Sequence, residues 1–308
     1  MKQKAKILNF GSLNIDKIYS LDHIVNEGET ISSMAYKEGV GGKGLNQSVA
    51  IKRAGASLFH AGCVGKVDGK FLINYLKDNA IESFLKESPG NSGHAIIQVD
   101  KNANNSIIVE AGANKEIDPS YIDKVLEKFD PGDYLLLQNE ISNLPYIVAS
   151  ARKKKMRIFF NPSPIDESIY DIDLNDVDTI IINETEGYRL SAYKTSFEIL
   201  NYFKKEYPNL TVVLTLGSRG GIYADKDKEI RFKSYPVDPI DTTGAGDTFL
   251  GYYLANIARG KDVEYSLNIA SLAAALACSK EGAASSIPSQ EEVETYIKAN
   301  DMELEWIR

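Results

Sequence analysis

The stretch Asp241-Thr-Thr-Gly-Ala-Gly-Asp-Thr-Phe249 sets a run of small residues directly ahead of an amphipathic segment and ends it on a carboxylate. Beyond it, Phe249, Leu250, Tyr253, Leu254 and Ile257 recur at helical spacing, which predicts a helix over about 246–258 with a buried face. Gly244, Ala245 and Gly246 then lie at its N-terminus, where backbone N–H groups are unpaired and the dipole end is positive. With almost no side chain in the way, a phosphate can rest against that backbone. A carboxylate beside an anion site works against binding unless it has a chemical task. Asp247 is suited to accepting the proton of a hydroxyl that attacks the phosphate. The same residues also fit an ordinary glycine turn in which Asp247 and Thr248 merely open a helix.

Short apolar runs alternate with amphipathic segments on the N-terminal side of this stretch. Strands are expected at Lys6–Phe10, Tyr134–Leu137, Arg157–Phe160, Thr179–Ile182 and Thr211–Leu216. Helices are expected at about Leu45–Arg53, Asp68–Asn79, Pro119–Lys128, Leu144–Lys154, Glu184–Leu190 and Ser196–Glu206. Continuous apolar strands between helices predict an α/β fold, a three-layer α/β/α sandwich around a mostly parallel sheet. Ligands in such sheets gather at the C-terminal ends of the strands. Asn161, Asn183, Thr215 and Gly217 all stand at such ends.

Two stretches break the pattern with strand-like alternation and no helical period. They predict a small β-sheet lid, 16–40 with 92–112, set on a core made of 1–15, 41–91 and 113–308. Asp100-Lys-Asn-Ala-Asn-Asn105 is good turn chemistry for a hairpin within it. Such a lid could close over a substrate and exclude water.

A chain of 308 residues with 43% hydrophobic content can bury one large core plus an appendage. A net charge of -8 argues against a nucleic-acid partner, which wants a basic face. The two cysteines, Cys63 and Cys278, have no CxxC spacing, so a disulfide framework or zinc site is not expected. No apolar run approaches the roughly 20 residues of a membrane span, and Ile7–Phe10 is too short for a signal-peptide core, so a soluble, cytoplasmic protein is expected.

Gly39-Val-Gly-Gly-Lys-Gly44 satisfies G-x-G-x-x-G literally, yet it follows the lid rather than the first strand, so the dinucleotide reading fails on context. Gly42, Lys43 and Asn46 instead offer open backbone and donors to a polyhydroxylated ligand. Asn14 and Asp16 point to one side of an extended segment and can hold adjacent sugar hydroxyls. Glu140 is a further carboxylate at a strand's end. Glu186, in Asn183-Glu-Thr-Glu186, can hold magnesium directly or through water, or simply favour a helix start. His23, His60 and His94 show no metal-ligand spacing.

Together these residues resemble the ribokinase-type carbohydrate kinase family. The resemblance rests on Gly11-Ser-Leu-Asn-Ile-Asp16, Gly41-Gly-Lys-Gly-Leu-Asn-Gln-Ser-Val-Ala50, Glu110-Ala-Gly-Ala-Asn114, Asn161-Pro-Ser-Pro164, Asn183-Glu-Thr-Glu186, Thr215-Leu-Gly-Ser-Arg-Gly-Gly221 and Asp241–Phe249, in order along nearly the whole chain. It implies ATP-dependent phosphorylation of the primary 5-hydroxyl of a pentose, D-ribose first, with deoxyribose, fructose or a nucleoside as alternatives. A catalytically silent sugar or nucleotide sensor on the same fold is the alternative of another class. The sugar site is implied at Asn14, Asp16, Gly42, Lys43, Asn46 and Glu140, with Asp247 as base. Gly244, Ala245 and Gly246 are implied as the anion hole, and Asn183, Glu186, Thr215, Gly217, Gly220 and Gly246 around the nucleotide and Mg²⁺. A K⁺ site is implied at Asp241, Thr243, Ala277, Lys280, Gly282 and Ser286, where Lys280 replaces the arginine expected of the family. The family also implies a homodimer paired through the lid.

Overall fold

The computed structural model describes residues 5–102 and 104–300. The expected hairpin turn includes Ala103, which lies outside the described residues. The chain opens with β1 (Ile7–Phe10), β2 (Asn14–Ser20), β3 (Ala35–Gly41), α1 (Lys43–Arg53), β4 (Leu58–Gly65), α2 (Lys70–Asp78) and β5 (Glu82–Ser88). It continues through β6 (Gly93–Val99), β7 (Asn105–Glu110), α3 (Pro119–Leu126), β8 (Tyr134–Gln138), α4 (Leu144–Lys153) and β9 (Arg157–Asn161). Next come β10 (Thr179–Asn183), α5 (Glu184–Ser191), α6 (Ser196–Glu206), β11 (Thr211–Thr215), β12 (Gly221–Ala224) and β13 (Glu229–Phe232). Three helices close the fold: α7 (Ala245–Ala258), α8 (Val263–Cys278) and α9 (Gln290–Ala299).

Nine strands form one sheet in the order β13-β12-β11-β10-β9-β8-β1-β4-β5, parallel from β5 to β11 and antiparallel beyond. Alternation along the strands splits the interior into two cores. Ile7, Leu136, Phe159, Ile181 and Val213 face α1, α2, α7, α8 and α9. Leu8, Leu135, Phe160, Ile180 and Val212 face α3, α4 and α6. That is the three-layer sandwich expected from the apolar runs. The sheet also contains β4, β5, β12 and β13, whose patterning had not marked them as strands. Among the described residues no helix is long and apolar enough to cross a membrane.

A separate four-stranded sheet has the order β3-β2-β6-β7. The β6–β7 pair is the expected hairpin, His94 opposite Glu110 through Val99 opposite Asn105. The sheet grows directly out of the end of β1, so Asn14 and Asp16 stand where the two sheets meet.

The strand order reverses at β1, which pairs in parallel with β4 on one side and β8 on the other. Loops leaving β1 and β8 therefore part at their C-terminal ends and open a crevice there. Two close approaches aim helices at that crevice. Gly44, at the start of α1, lies on the backbone of Gly11 and Ser12, where a Cβ would overlap both. Gly251 of α7 lies on α1, where a Cβ would overlap Ala50 and crowd the Gln47 carbonyl. Gly251→Ala should therefore cost about 1–3 kcal/mol, the usual price of overpacking, read as a lowered midpoint in denaturant unfolding.

Candidate active site

The segment that opens the sequence analysis forms the rim of this crevice. Gly244 caps α7 with φ 75°, a left-handed backbone that glycine adopts without strain. The Ala245 N–H is spent on the Thr242 carbonyl and the Thr248 N–H on the Gly244 carbonyl. Among the described residues nothing accepts from the N–H groups of Gly244, Gly246 or Asp247. The free donors are thus Gly244, Gly246 and Asp247 rather than the Gly244–Ala245–Gly246 trio expected from sequence. Space in front of Gly246 is open, since a Cβ there would meet nothing within 4 Å.

Asp247 is buried beneath this turn, and both its oxygens are held by α1. Asn46 Nδ2 donates to Oδ2 at 3.1 Å and Gln47 Nε2 to Oδ1 at 2.8 Å. Asn46 Oδ1 is buried with no partner among the described residues. The Asp247 carboxylate raises the pKa of the Lys43 ammonium above the ordinary lysine value; burial opposes this, and Glu140 and Glu186 add to it. Lys43 is the cation on which the site's carboxylates converge.

On the lid side, Asn114 Nδ2 donates to Asn14 Oδ1 at 2.8 Å while Asn114 Oδ1 accepts from the Leu13 N–H at 3.1 Å. This fixes which way Asn14 faces and leaves its own NH₂ free. Glu140 Oε2 accepts from Ser12 Oγ and, at 2.9 Å, from the Lys43 N–H. Burial raises the Glu140 pKa, and burial followed by the Glu140 charge raises that of Asp16 to about 6. The cross-strand neighbours of Asn14 and Asp16 are Gly41, Gly39, Gly93 and Ala95. Their smallness matters: a Cβ on Gly41 would overlap the Asp16 carboxylate, and one on Gly93 the Asn14–Asn114 bond. Asn14, Asp16 and Glu140 are thus the polar side chains on this side, with Asn46 on α1 one turn beyond Lys43.

Across Gly246 two cavities adjoin. One, about 250 Å³, is lined by Lys43, Asn183, Glu186, Thr215, Gly244, Gly246 and Asp247 among others. The next, about 580 Å³, shares Thr215 and Gly246, takes in Gly217 and Gly220, and is walled by Phe232, Tyr235, Pro236, Val237, Pro239, Phe249, Ala274 and Cys278. Every nucleotide position expected from sequence borders one or both. The apolar wall of the larger cavity was not expected, and half-buried Cys278 lines it rather than filling a core. Glu186 also completes a capping box on α5, accepting from the Asn183 N–H at 2.9 Å.

Behind the Gly244 turn, Asp241 accepts from the N–H groups of Thr243 and Gly282, each at 2.9 Å. Burial alone would raise its pKa, but these bonds hold it below the usual value. The loops carrying Thr243 and Ala277–Ser286 therefore meet at an ionised carboxylate. The Lys280 side chain turns away to Glu292 at 2.5 Å, so only its backbone remains near this loop.

Residues 4–290 match the pfkB family of carbohydrate kinases. The chain belongs to that family and is a sugar kinase, a phosphotransferase with an alcohol acceptor. It is 33% identical over 300 residues to a ribokinase of Bacillus subtilis, covering 93% of this chain and 97% of that one. A deoxyribokinase of Salmonella typhi is 28% identical, covering 94% and 98%. Among solved structures, an Arabidopsis thaliana ribokinase complexed with ribose and ATP superposes with a TM-score of 0.86 at 25% identity, covering 96% and 99%.

The Asp16 result can be checked directly. Carbon-13 NMR of the free protein should show an aspartate titrating near pH 6, absent in Asp16→Asn and moved downward in Glu140→Gln, which removes the neighbouring charge. No change in Glu140→Gln would show that burial alone raises it.

Proposed function

We propose that this sugar kinase transfers the terminal phosphoryl group of ATP to the 5-hydroxyl of D-ribose. The observation that carries the reading is the Asp247 carboxylate, buried between the unpaired N–H groups of the Gly244–Asp247 turn and the Asn46 amide. A hydroxyl placed there touches a base on one side and an anion cradle on the other. The pentose lies on the hollow of Asn14, Asp16, Asn46 and Glu140, under the lid formed by 16–40 and 92–112. Asp247 accepts the hydroxyl proton as the oxygen attacks phosphorus. The Gly244, Gly246 and Asp247 amides and Lys43 balance the charge on the phosphoryl oxygens in transfer, so catalysis is positioning plus electrostatics. The adenine ring fits the apolar cavity between Tyr235–Pro239 and α8. A cytoplasmic setting, where ATP is supplied, goes with this reading.

Magnesium fits the cavity wall at Glu186, whose Oε1 accepts no hydrogen bond among the described residues; one carboxylate suits an ion that keeps its waters and leans on phosphates. Bound there, it would neutralise phosphate charge. Potassium fits the Asp241 loop, where an ionised carboxylate joins the Thr243 and Gly282 segments, and the turned-away Lys280 side chain leaves that fit intact.

The similarity to a deoxyribokinase keeps deoxyribose as the second reading. A nucleoside is less well served. Tyr19 and Tyr36 stack with centroids 5.0 Å apart, but strand alternation puts Tyr19 on the face opposite Asn14 and Asp16. The lid's outer strand exposes Ile107, Ile108 and Val109, and a greasy sheet edge fits a second copy of the chain.

ADP release from Mg·ATP with potassium present should be strongest on ribose in a panel with deoxyribose, fructose and adenosine; a preference for another member overturns the sugar assignment. Asp247→Asn should lower kcat by about 10²–10⁴-fold, and unchanged turnover would remove Asp247 as base. Ile108→Lys should convert a dimer to a monomer in analytical ultracentrifugation; a wild-type monomer at tens of micromolar refutes the lid pairing.

A further inference from the structure

A chain of buried amides connects Asp247 to the far side of α1, and the reaction as described does not use it. Gln47 Oε1 accepts from Gln138 Nε2 at 2.6 Å, and the same Gln138 nitrogen donates to Asn9 Oδ1 at 2.9 Å. Asn9 Nδ2 donates in turn to the Gly44 carbonyl at 2.7 Å and to Ser48 Oγ at 2.8 Å. Asn9, Gln47, Ser48 and Gln138 are all fully buried.

The two ends of an amide differ, so each link dictates the next. The Gly44 carbonyl can only accept, which forces the Asn9 nitrogen towards it and the Asn9 oxygen towards Gln138. Gln138 must then offer its nitrogen to Asn9 and Gln47, and Gln47 is left with its nitrogen towards Asp247. A branch gives the same answer: Asn161 Nδ2 donates to the Ile181 carbonyl at 3.0 Å, so its oxygen faces Gln47 Nε2 at 3.3 Å. This arrangement leaves Gln138 Oε1 buried and unpartnered, against a Gly11 position where a Cβ would overlap it. An orphaned buried acceptor destabilises the fold, so a core built only for stability would shed it.

We propose that Gln138 and Gln47 are positioning residues that relay the polarity of the Gly44 and Ile181 carbonyls to Asp247, so the carboxylate meets a donor and is held aimed at the acceptor hydroxyl. The inference rests on Asp247 being the base. Gln138 touches neither Asp247 nor the cavities, so its effect must pass through Gln47.

The test uses the full-length enzyme with Gln138→Met and Gln47→Met, each close to glutamine in length and unable to donate. Gln138→Met removes the donor that holds the Gln47 oxygen, so the Gln47 amide keeps only Asn161 and Asp247 to orient it. The expected result is a loss in kcat on the order of 10–100-fold with the sugar KM within about twofold. The acid limb of the kcat profile should also move to higher pH, because a carboxylate that loses a donor holds its proton more tightly. Thermal melts separate this from unfolding, and if Gln138→Met does not fold, Gln47→Met provides the same two readouts. If Asp247→Asn is inactive while both methionine variants keep the wild-type kcat and acid limb, the relay is refuted and the base stands. If Asp247→Asn stays active, the relay falls together with the base.

Discussion

The contact between α1 and α7 is the constraint from which the rest of the site follows. It is made close by Gly251 lying on Ala50 and the Gln47 carbonyl, and by Gly44 lying on the turn after β1. These glycines bring two helix starts into one crevice. One start carries unpaired N–H groups and Asp247; the other carries Lys43, Asn46 and Gln47. Moving either helix out by the width of a methyl group would stretch the bonds at 2.8 and 3.1 Å that hold Asp247, beyond the range where such bonds contribute. The surrounding sandwich is a device for holding these two backbones together.

The proposed anion site, in a chain of net charge -8, needs local means, because the overall field opposes a phosphate. The means are backbone N–H groups at a helix start and one half-buried ammonium. Lys43 sits among Asp247, Glu140 and Glu186, which keep it protonated despite burial. The carboxylates in turn are not equivalent. Asp247 accepts from two amides, Glu140 accepts from a hydroxyl and a backbone N–H, and Asp16 has neither and is pushed up to about 6. Burial raises both Asp16 and Glu140, and the donors on Glu140 oppose that rise while Asp16 has none to do so.

Much of this was legible along the chain, and what was not has a common cause. The Gly-Ala-Gly turn ahead of an amphipathic run located α7, and the apolar strand runs located the sandwich, because both signals are local. Asn14, Asp16, Glu140 and Asn183 could be picked out as polar groups at strand ends. Asn114, Gln47 and Gln138 could not, since each matters through a partner about 90 to 200 residues away. The apolar cavity wall at Tyr235–Pro239 has no periodicity to read, being irregular backbone between β13 and α7. Ala245 was expected as a donor, but its N–H closes a turn onto Thr242, a detail of one hydrogen bond that spacing cannot specify.

The buried polar atoms left unpartnered point the same way. Among the described residues they are Asn46 Oδ1, His60 Nε2, Gln138 Oε1 and Ser88 Oγ, and the first three lie on or next to the amide chain between α1, β1, β4 and β8. His60, pushed down to about 4 by burial, is neutral and ends that chain at Ser48, 2.8 Å away. A core that retains polar groups with lone acceptors departs from what packing alone selects, and such departures concentrate where geometry serves chemistry. The amide of Asn46 shows the distinction within one residue. Its nitrogen is spent on Asp247, whereas its oxygen is buried and left without a partner among the described residues.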